Sequence, residues 1–218
     1  MNFFLFFIEM FLPNEIADLI LGFLPNYEML DWIDCASLSW RHVCVNPNAI
    51  DLLQQNKDKI DWDYLSFNPA AIHLLEKNRD KIDWYHLSAN PAAIHLLERN
   101  REKIIWWRLS GQNKAAISLL QRSKEYINWD GLSENSAAIH LLEQNKEKIN
   151  WNLLSRNPAA IHLLERNEHK IDWNSLSRNS AAMHLLKQNI DKIERICLSK
   201  NPAAIHLLEQ NKDKINWD

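Results

Sequence analysis

The chain has 218 residues, of which 46% are hydrophobic and 24% charged, a composition that excludes a disordered protein. Its formal charge of −3 is uneven, because residues 1–45 carry six acidic side chains against Arg41 (−5), which leaves +2 for the rest. Neither part has the concentrated positive charge of a polyanion binder, so nucleic acid is not an expected partner.

Residues 1–12 are strongly apolar, with Glu9 interrupting the run. A membrane-spanning helix needs about 20 apolar residues, so we expect no membrane span. The segment also lacks the basic start and cleavage site of a secretory signal. We expect a helix that packs under the following part of the chain, with a membrane or partner anchor as the alternative.

Residues 12–44 read LPNEIADLILGFLPNYEMLDWIDCASLSWRHVC and resemble an F-box. The resemblance implies a three-helix segment over residues 1–45 that docks on the Skp-type adaptor of cullin ubiquitin ligases. It also implies a docking face made by Leu12, Pro13, Ile16, Ile20, Leu24 and Trp40. A structural alternative is that the segment only caps the open end of the repeats that follow, as stacked repeats require.

A 22-residue repeat fills residues 46–218. The string NPAAIHLLE, or a close variant, recurs in eight copies, which we number as repeats 1–8. They begin at Asn46, Asn68, Asn90, Asn113, Asn135, Asn157, Asn179 and Asn201, with one extra residue at Gly111 or Gln112. The repeat NPAAIHLL resembles those of repeat-protein families in giant DNA viruses, where F-box-like starts are also frequent.

Each copy predicts a helix of about ten residues followed by a shorter one. Asn at position 1 and Pro at position 2 are helix-start residues, and Asn78 at position 11 suits a left-handed helix end. Ala71, Ile72, Leu74 and Leu75 share one apolar stripe, whereas His73 lies on the opposite side. Asp83 then caps a second, short element that contains Trp84. The chain is therefore predicted to be an all-α solenoid of about eight repeats with an N-terminal helical cap.

Three ladders of recurring side chains invite a functional interpretation, but each is better explained by structure. One histidine per repeat cannot form a metal site, because layers about 8–10 Å apart keep the rings too far from a shared ion. The recurring tryptophans are expected in the core, and the recurring lysines on a solvated, ion-paired face. No catalytic motif is present, so we expect neither an enzyme nor a cofactor.

Positions that vary between copies are free to recognise a partner. The variable positions 18, 19 and 22 are rich in aromatic and arginine side chains in repeats 1–3, a composition favoured at binding hot spots. The candidate partner surface is Tyr64, Phe67, Tyr85, His86, Trp107 and Arg108. The alternative is that these rings pack against the N-terminal segment.

These features predict a protein–protein interaction module. With the F-box resemblance, its function is that of a substrate adaptor for a cullin ubiquitin ligase; the alternative is a structural or scaffold protein of a giant virus. Three cysteines without a C-x-x-C pair fit a reducing compartment, so we expect the host cytoplasm or nucleus, or the virus particle. The final copy stops at Asp218, and an uncapped end there would favour self-association.

Overall fold

The computed structural model describes residues 38–193 and 195–211, without the side chain of Arg195. Short α-helices and three-residue 3₁₀ turns follow one another along these residues, and no strand occurs among them. The α-helices are α1 (Trp40–Val45), α2 (Ile50–Gln55), α3 (Trp62–Phe67), α4 (Ile72–Lys77), α5 (Trp84–Ala89), α6 (Ile94–Arg99), α7 (Trp106–Gln112), α8 (Ile117–Gln121), α9 (Trp129–Glu134), α10 (Ile139–Glu143), α11 (Trp151–Arg156), α12 (Ile161–Glu165), α13 (Trp173–Leu176), α14 (Met183–Gln188), α15 (Arg195–Leu198) and α16 (Ile205–Glu209).

The even-numbered helices are the first helices of the repeats, and the odd-numbered ones are the second helices. Each second helix packs against the second helix of the next repeat, and the turns that precede the first helices also stack on one another. The predicted all-α solenoid is therefore confirmed. None of the described helices is long and apolar enough to cross a membrane.

The first helix of each repeat differs in detail from the expected ten-residue helix. In repeat 2 it is divided into a 3₁₀ turn, Pro69–Ala71, and the α-helix Ile72–Lys77. Ala71, with φ −88° and ψ 3°, separates the two parts, since these angles close a turn and do not continue an α-helix. A second 3₁₀ turn, Arg79–Lys81, precedes α5 and was not predicted.

The N-terminal caps of the helices match the prediction from the sequence, whereas the C-terminal end at Asn78 does not. The Asn68 side chain accepts a hydrogen bond from Ala70 N–H, and Asp83 accepts one from His86 N–H, as expected of N-caps. The left-handed end predicted for Asn78 is wrong, because its φ is −130°. Its side-chain amide instead donates to the carbonyl of Leu74 at 2.8 Å, which satisfies a free carbonyl of the last helical turn.

The same positions of successive repeats form the buried core. In repeat 2 it consists of Ala71, Leu74, Leu75, Ile82 and Leu87, all of them buried. His73 is exposed, as the predicted stripe requires. Because a six-residue helix is unstable alone in water, the packing of each copy on its neighbours must supply most of the stability.

A ladder of buried asparagines joins the repeats through their backbones. The Asn90 side chain caps its own repeat by accepting from Ala92 N–H, and its amide nitrogen donates to the carbonyls of Ser66 and Asn68 in the layers before it. Asn113, Asn135 and Asn179 repeat the same three contacts. This asparagine ladder satisfies carbonyls that would otherwise be buried without a partner.

A serine ladder runs beside it at position 21. The Ser66 hydroxyl donates to the carbonyl of Trp62 and accepts from Asp83 N–H in the next repeat. Cys44 occupies the equivalent place one repeat earlier, and its sulfur accepts from Asp61 N–H at 3.3 Å. The repeat pattern therefore extends back into α1, before Asn46.

One junction in the stack differs from the others. The extra residue of repeat 3 lengthens α7 to seven residues, and α7 meets α9 of repeat 4 through Gly111 and Gly131. A Cβ at Gly131 would lie 3.1 Å from the carbonyl oxygen of Trp107 and 3.2 Å from the nitrogen of Gly111. The missing side chains thus allow these two helices to approach closely.

Candidate protein-binding surface

The recurring tryptophans lie at the edge of the core, half-buried and packed against it. The ammonium group of Lys81 lies 4.8 Å from the centre of the Trp62 ring in the preceding repeat. Lys103, Lys148, Lys170 and Lys192 cover the tryptophans before them at 4.8–4.9 Å. Core packing of the tryptophans is thus confirmed, but the ion-paired face predicted for these lysines is wrong, because their charges interact with aromatic rings.

The remaining members of the lysine row differ. Lys59 lies 3.5 Å from Asp58, as an ion-paired face would predict, and Lys214 lies outside the described residues. In repeat 4 Tyr126 replaces the lysine, and its ring stacks on Trp106 at 4.7 Å. In repeats 2–7 this row is therefore occupied by structural contacts with the preceding repeat.

Three histidines of the row form contacts between layers on the exposed face of the first helices, whereas His140 and His206 contact Gln144 and Glu209 of their own repeats. His95 Nε2 lies 3.0 Å from Glu76 Oε1 of the preceding repeat, and His184 lies 2.6 Å from Glu165 in the same way. His73 makes the equivalent contact with Gln54. The predicted hydrogen bonding between layers is confirmed at these positions, and no group of three or more metal-donor side chains occurs among the described residues.

The six residues of the candidate partner surface lie on three successive second helices, α3, α5 and α7. We call them the aromatic strip. The Tyr64 ring stacks on His86 with centroids 5.9 Å apart, and the Tyr85 ring contacts both His86 at 5.2 Å and Trp107 at 5.7 Å. The structure therefore brings residues from three repeats into one continuous row of rings.

The rings of this strip are open to solvent. The exposed fractions of Tyr64, Phe67, Tyr85 and Trp107 lie between 37% and 48%, whereas most large apolar side chains in the described residues are buried or half-buried. Phe67 lies one helical turn after Tyr64 in α3, on the same side of that helix. A cluster of exposed aromatic groups is typical of a protein-interaction site.

Arginine side chains lie on the strip. The Arg108 guanidinium lies 4.1 Å from the centre of the Tyr85 ring and 5.7 Å from that of Trp107. Arg41, in α1, lies 5.5 Å from the centre of the Tyr64 ring and extends the strip by one layer. Sequence reasoning missed Arg41, although its place next to Trp40 matches that of Tyr85 next to Trp84.

The basic side chains of the strip differ in whether they have an acidic neighbour. Arg41 lies 3.3 Å from Asp61, and His86 lies 2.7 Å from Asp83, so these groups have anionic neighbours. Within residues 38–193 and 195–211, Arg108 forms no ion pair. Its nitrogens make two long hydrogen bonds, both 3.4 Å, to the carbonyl and hydroxyl of Tyr85.

Of the six residues predicted to dock on a ubiquitin-ligase adaptor, five lie outside the described residues: Leu12, Pro13, Ile16, Ile20 and Leu24. Trp40 lies in α1, where it is half-buried and packs against the core. It stands one full repeat before Trp62, so it is placed as a tryptophan of the repeat. The structure thus gives Trp40 a role in the stack.

A family model described as "Periplasmic copper-binding protein (NosD)" matches residues 36–216, which is most of the chain and the whole of the stack described above. The chain belongs to the NosD family. No curated protein and no solved structure matches it significantly. The NosD match supports a repeat protein, and it shows neither an F-box nor a giant-virus family.

The family corrects one expectation. NosD is described as periplasmic, which contradicts the predicted location in the host cytoplasm, the nucleus or a virus particle. An odd number of cysteines without a C-x-x-C pair does not identify a reducing compartment for this chain. Cysteines buried in separate repeats, such as Cys44 and Cys197, can stay reduced in any compartment, because burial keeps their thiols from forming disulfides.

Proposed function

We propose that this NosD-family chain is a protein-binding scaffold whose aromatic strip recognises a partner in the periplasm. The observation that carries the proposal is the row of rings on α3, α5 and α7, exposed on helices whose other recurring side chains are occupied by contacts between repeats. Tyrosine, tryptophan and arginine are the residues enriched at binding hot spots. The proposal includes no catalytic step.

Copper is not part of this proposal, although the family description names it. The pairs His95–Glu76 and His184–Glu165 offer two donors each, and within the described ranges no third donor joins them. Cys44 and Cys197 are buried in separate repeats, so their thiols cannot share an ion. The described side chains therefore do not fit a copper site.

The finer predictions, an adaptor for a cullin ubiquitin ligase or a structural protein of a giant virus, remain untested. The periplasmic description of the family argues against both. Co-purification with a Skp-type adaptor, lost on Pro13→Ala with Ile16→Ala, would revive the first.

The test of the scaffold proposal removes two rings of the strip. We expect Tyr85→Ala with Trp107→Ala to abolish affinity capture of partner proteins from a periplasmic extract, while far-UV circular dichroism stays unchanged. The matched control is Asp130→Ala with Asn152→Ala, the same position 18 in repeats 4 and 5, and it should capture the same proteins as the wild type. An identical set of captured proteins from the strip variant, or loss of its helicity, would contradict the proposal.

A further inference from the structure

The guanidinium of Arg108, at one end of the aromatic strip, has N–H donors that no neighbour accepts among the described residues. A guanidinium has five N–H donors, and those of Arg108 make only two long bonds to Tyr85. The Tyr85 ring contacts the guanidinium from one side, with its centre 4.1 Å from the guanidinium carbon. A planar donor fork in this position is suited to a carboxylate, which it binds through two parallel hydrogen bonds.

We propose that the occupant of the strip is an extended peptide segment with an acidic residue that pairs with Arg108 and apolar residues that lie on the rings. This inference rests on the scaffold function proposed above and names the chemistry of its partner. A carboxylate carries the charge opposite to that of Arg108, which has no ion-pair partner among the described residues.

The charges along the strip also indicate at which end the acidic residue of the peptide lies. Asp63 is exposed in α3 beside Tyr64, so an acidic residue at that end would meet a like charge. Arg41 at that end already pairs with Asp61. The acidic residue therefore lies at the Arg108 end, and apolar side chains lie over Tyr64, Phe67 and Tyr85.

The length of the strip sets the length of the peptide. Three layer steps separate α1 from α7, and layers about 8–10 Å apart give a span of about 24–30 Å. An extended chain rises about 3.3 Å per residue, so about eight residues cover the strip. A segment of this length is within the range of short peptide libraries.

The experiment selects a random twelve-residue peptide library, displayed on phage, against the immobilised full-length protein. The enriched peptides should carry Asp or Glu on one side of a run of aromatic, leucine or proline residues. One such peptide, dye-labelled, is then titrated by fluorescence polarisation. Its Kd should rise about tenfold or more for Arg108→Gln and stay within about twofold for the control Arg156→Gln, which removes the same charge in repeat 5.

Three results decide between the two proposals. Acidic peptides that lose affinity with Arg108→Gln, and regain only part of it with Arg108→Lys, support the inference. Neutral peptides that need Tyr85 and Trp107 but not Arg108 would overturn the carboxylate assignment and leave the scaffold proposal standing. Absence of enriched peptides, or peptides indifferent to every strip substitution, would overturn both. Unchanged far-UV circular dichroism of each variant excludes unfolding as the cause.

Discussion

Repeats 1–3 and repeats 5–7 share one scaffold and differ in the side chains that they present. At position 18 the former carry Asp63, Tyr85 and Trp107, and the latter carry Asn152, Asn174 and Ile196. The polar side chains of the second group are partly engaged with their neighbours, as Asn152 accepts from the Ser175 hydroxyl at 3.3 Å. The asparagine ladder, in contrast, continues through both groups.

The difference teaches where function is encoded in this molecule. Constant side chains, such as Asn90 and Ser88, use their hydrogen-bonding groups in contacts between layers, so few of these groups remain to bind a partner. Variable side chains face solvent and change from copy to copy at little cost to the stack. Recognition and stability therefore rest on different positions of the same repeat.

The largest expected effect is on the free energy of unfolding, and it tests whether repeats 1–3 and repeats 5–7 share one scaffold. Asn90→Ala and Asn179→Ala each remove three hydrogen bonds to backbone groups, two of them buried and one part-buried. We expect each to lower the free energy of unfolding by about 3 kcal/mol, measured by urea denaturation with circular dichroism. Asn78→Ala, which loses one contact at the edge of a repeat, is the control and should cost about 1 kcal/mol. Markedly unequal losses for Asn90 and Asn179 would break the equivalence of the two groups.

The next effect concerns the junction between the aromatic repeats and those that follow. Gly131→Ala places a Cβ 3.1 Å from the carbonyl oxygen of Trp107, and the overpacking of about 1–3 kcal/mol exceeds the gain in helix propensity of about 1 kcal/mol. We expect a net loss of about 1 kcal/mol in the free energy of unfolding, measured by urea denaturation. Gly111→Ala, whose nearest contact is 3.3 Å, should lose less. A more stable Gly131→Ala variant would show that the close approach of α7 and α9 is not needed.

A smaller effect concerns the lysines that cover the tryptophans. Lys148→Gln removes the cation over Trp129, and we expect a loss of about 0.5–1 kcal/mol in the free energy of unfolding. Lys146→Gln, an exposed neighbour in the same turn, removes the same charge and should leave stability unchanged. Equal effects of both substitutions would mean that net charge, not the ring contact, is responsible.

The smallest effect is a difference in reactivity. Burial raises the pKa of the Cys44 thiol, an effect to which the nearby Asp61 carboxylate adds while the Asp61 N–H opposes it. The folded state thus holds the thiol proton more tightly than the unfolded state, so stability falls as the pH rises above the ordinary thiol pKa. Iodoacetamide at about pH 8 should modify Cys44 slowly in the native protein and rapidly in urea, as peptide mapping by mass spectrometry would show.

The control for this prediction is Cys44→Ser, which restores the serine of the ladder. This variant should keep the contact to Asp61 N–H and lose the part of the alkaline pH dependence of stability that comes from the raised pKa of the Cys44 thiol. Rapid labelling of native Cys44 would contradict its place in the ladder.

Much of the fold was predictable because the repeat fixes both the period and the buried stripe. Ala71, Leu74 and Leu75 were assigned to the core from spacing alone, and the strip was found by comparing copies. The second 3₁₀ turn was missed, since Asn78 before it was interpreted only as a helix end, and its side chain makes no cap hydrogen bond to that turn. The contact between Lys81 and Trp62 was missed because it joins different repeats, and a single copy read alone does not show that the two side chains meet. The match of Arg41 to the strip was missed because the sequence before Asn46 does not carry the NPAAIHLL motif by which the copies were recognised.

The asparagine ladder has a consequence for how such a chain changes over generations. Between repeats, each Asn side chain bonds only to the layers just before it. Duplication or deletion of a stretch of gene that encodes one whole repeat would therefore leave every asparagine of the ladder with its hydrogen bonds. The extra residue taken up within α7 shows that even an imperfect event is accommodated. Scaffold length can thus drift by recombination while point substitutions at two or three exposed positions set what each copy recognises.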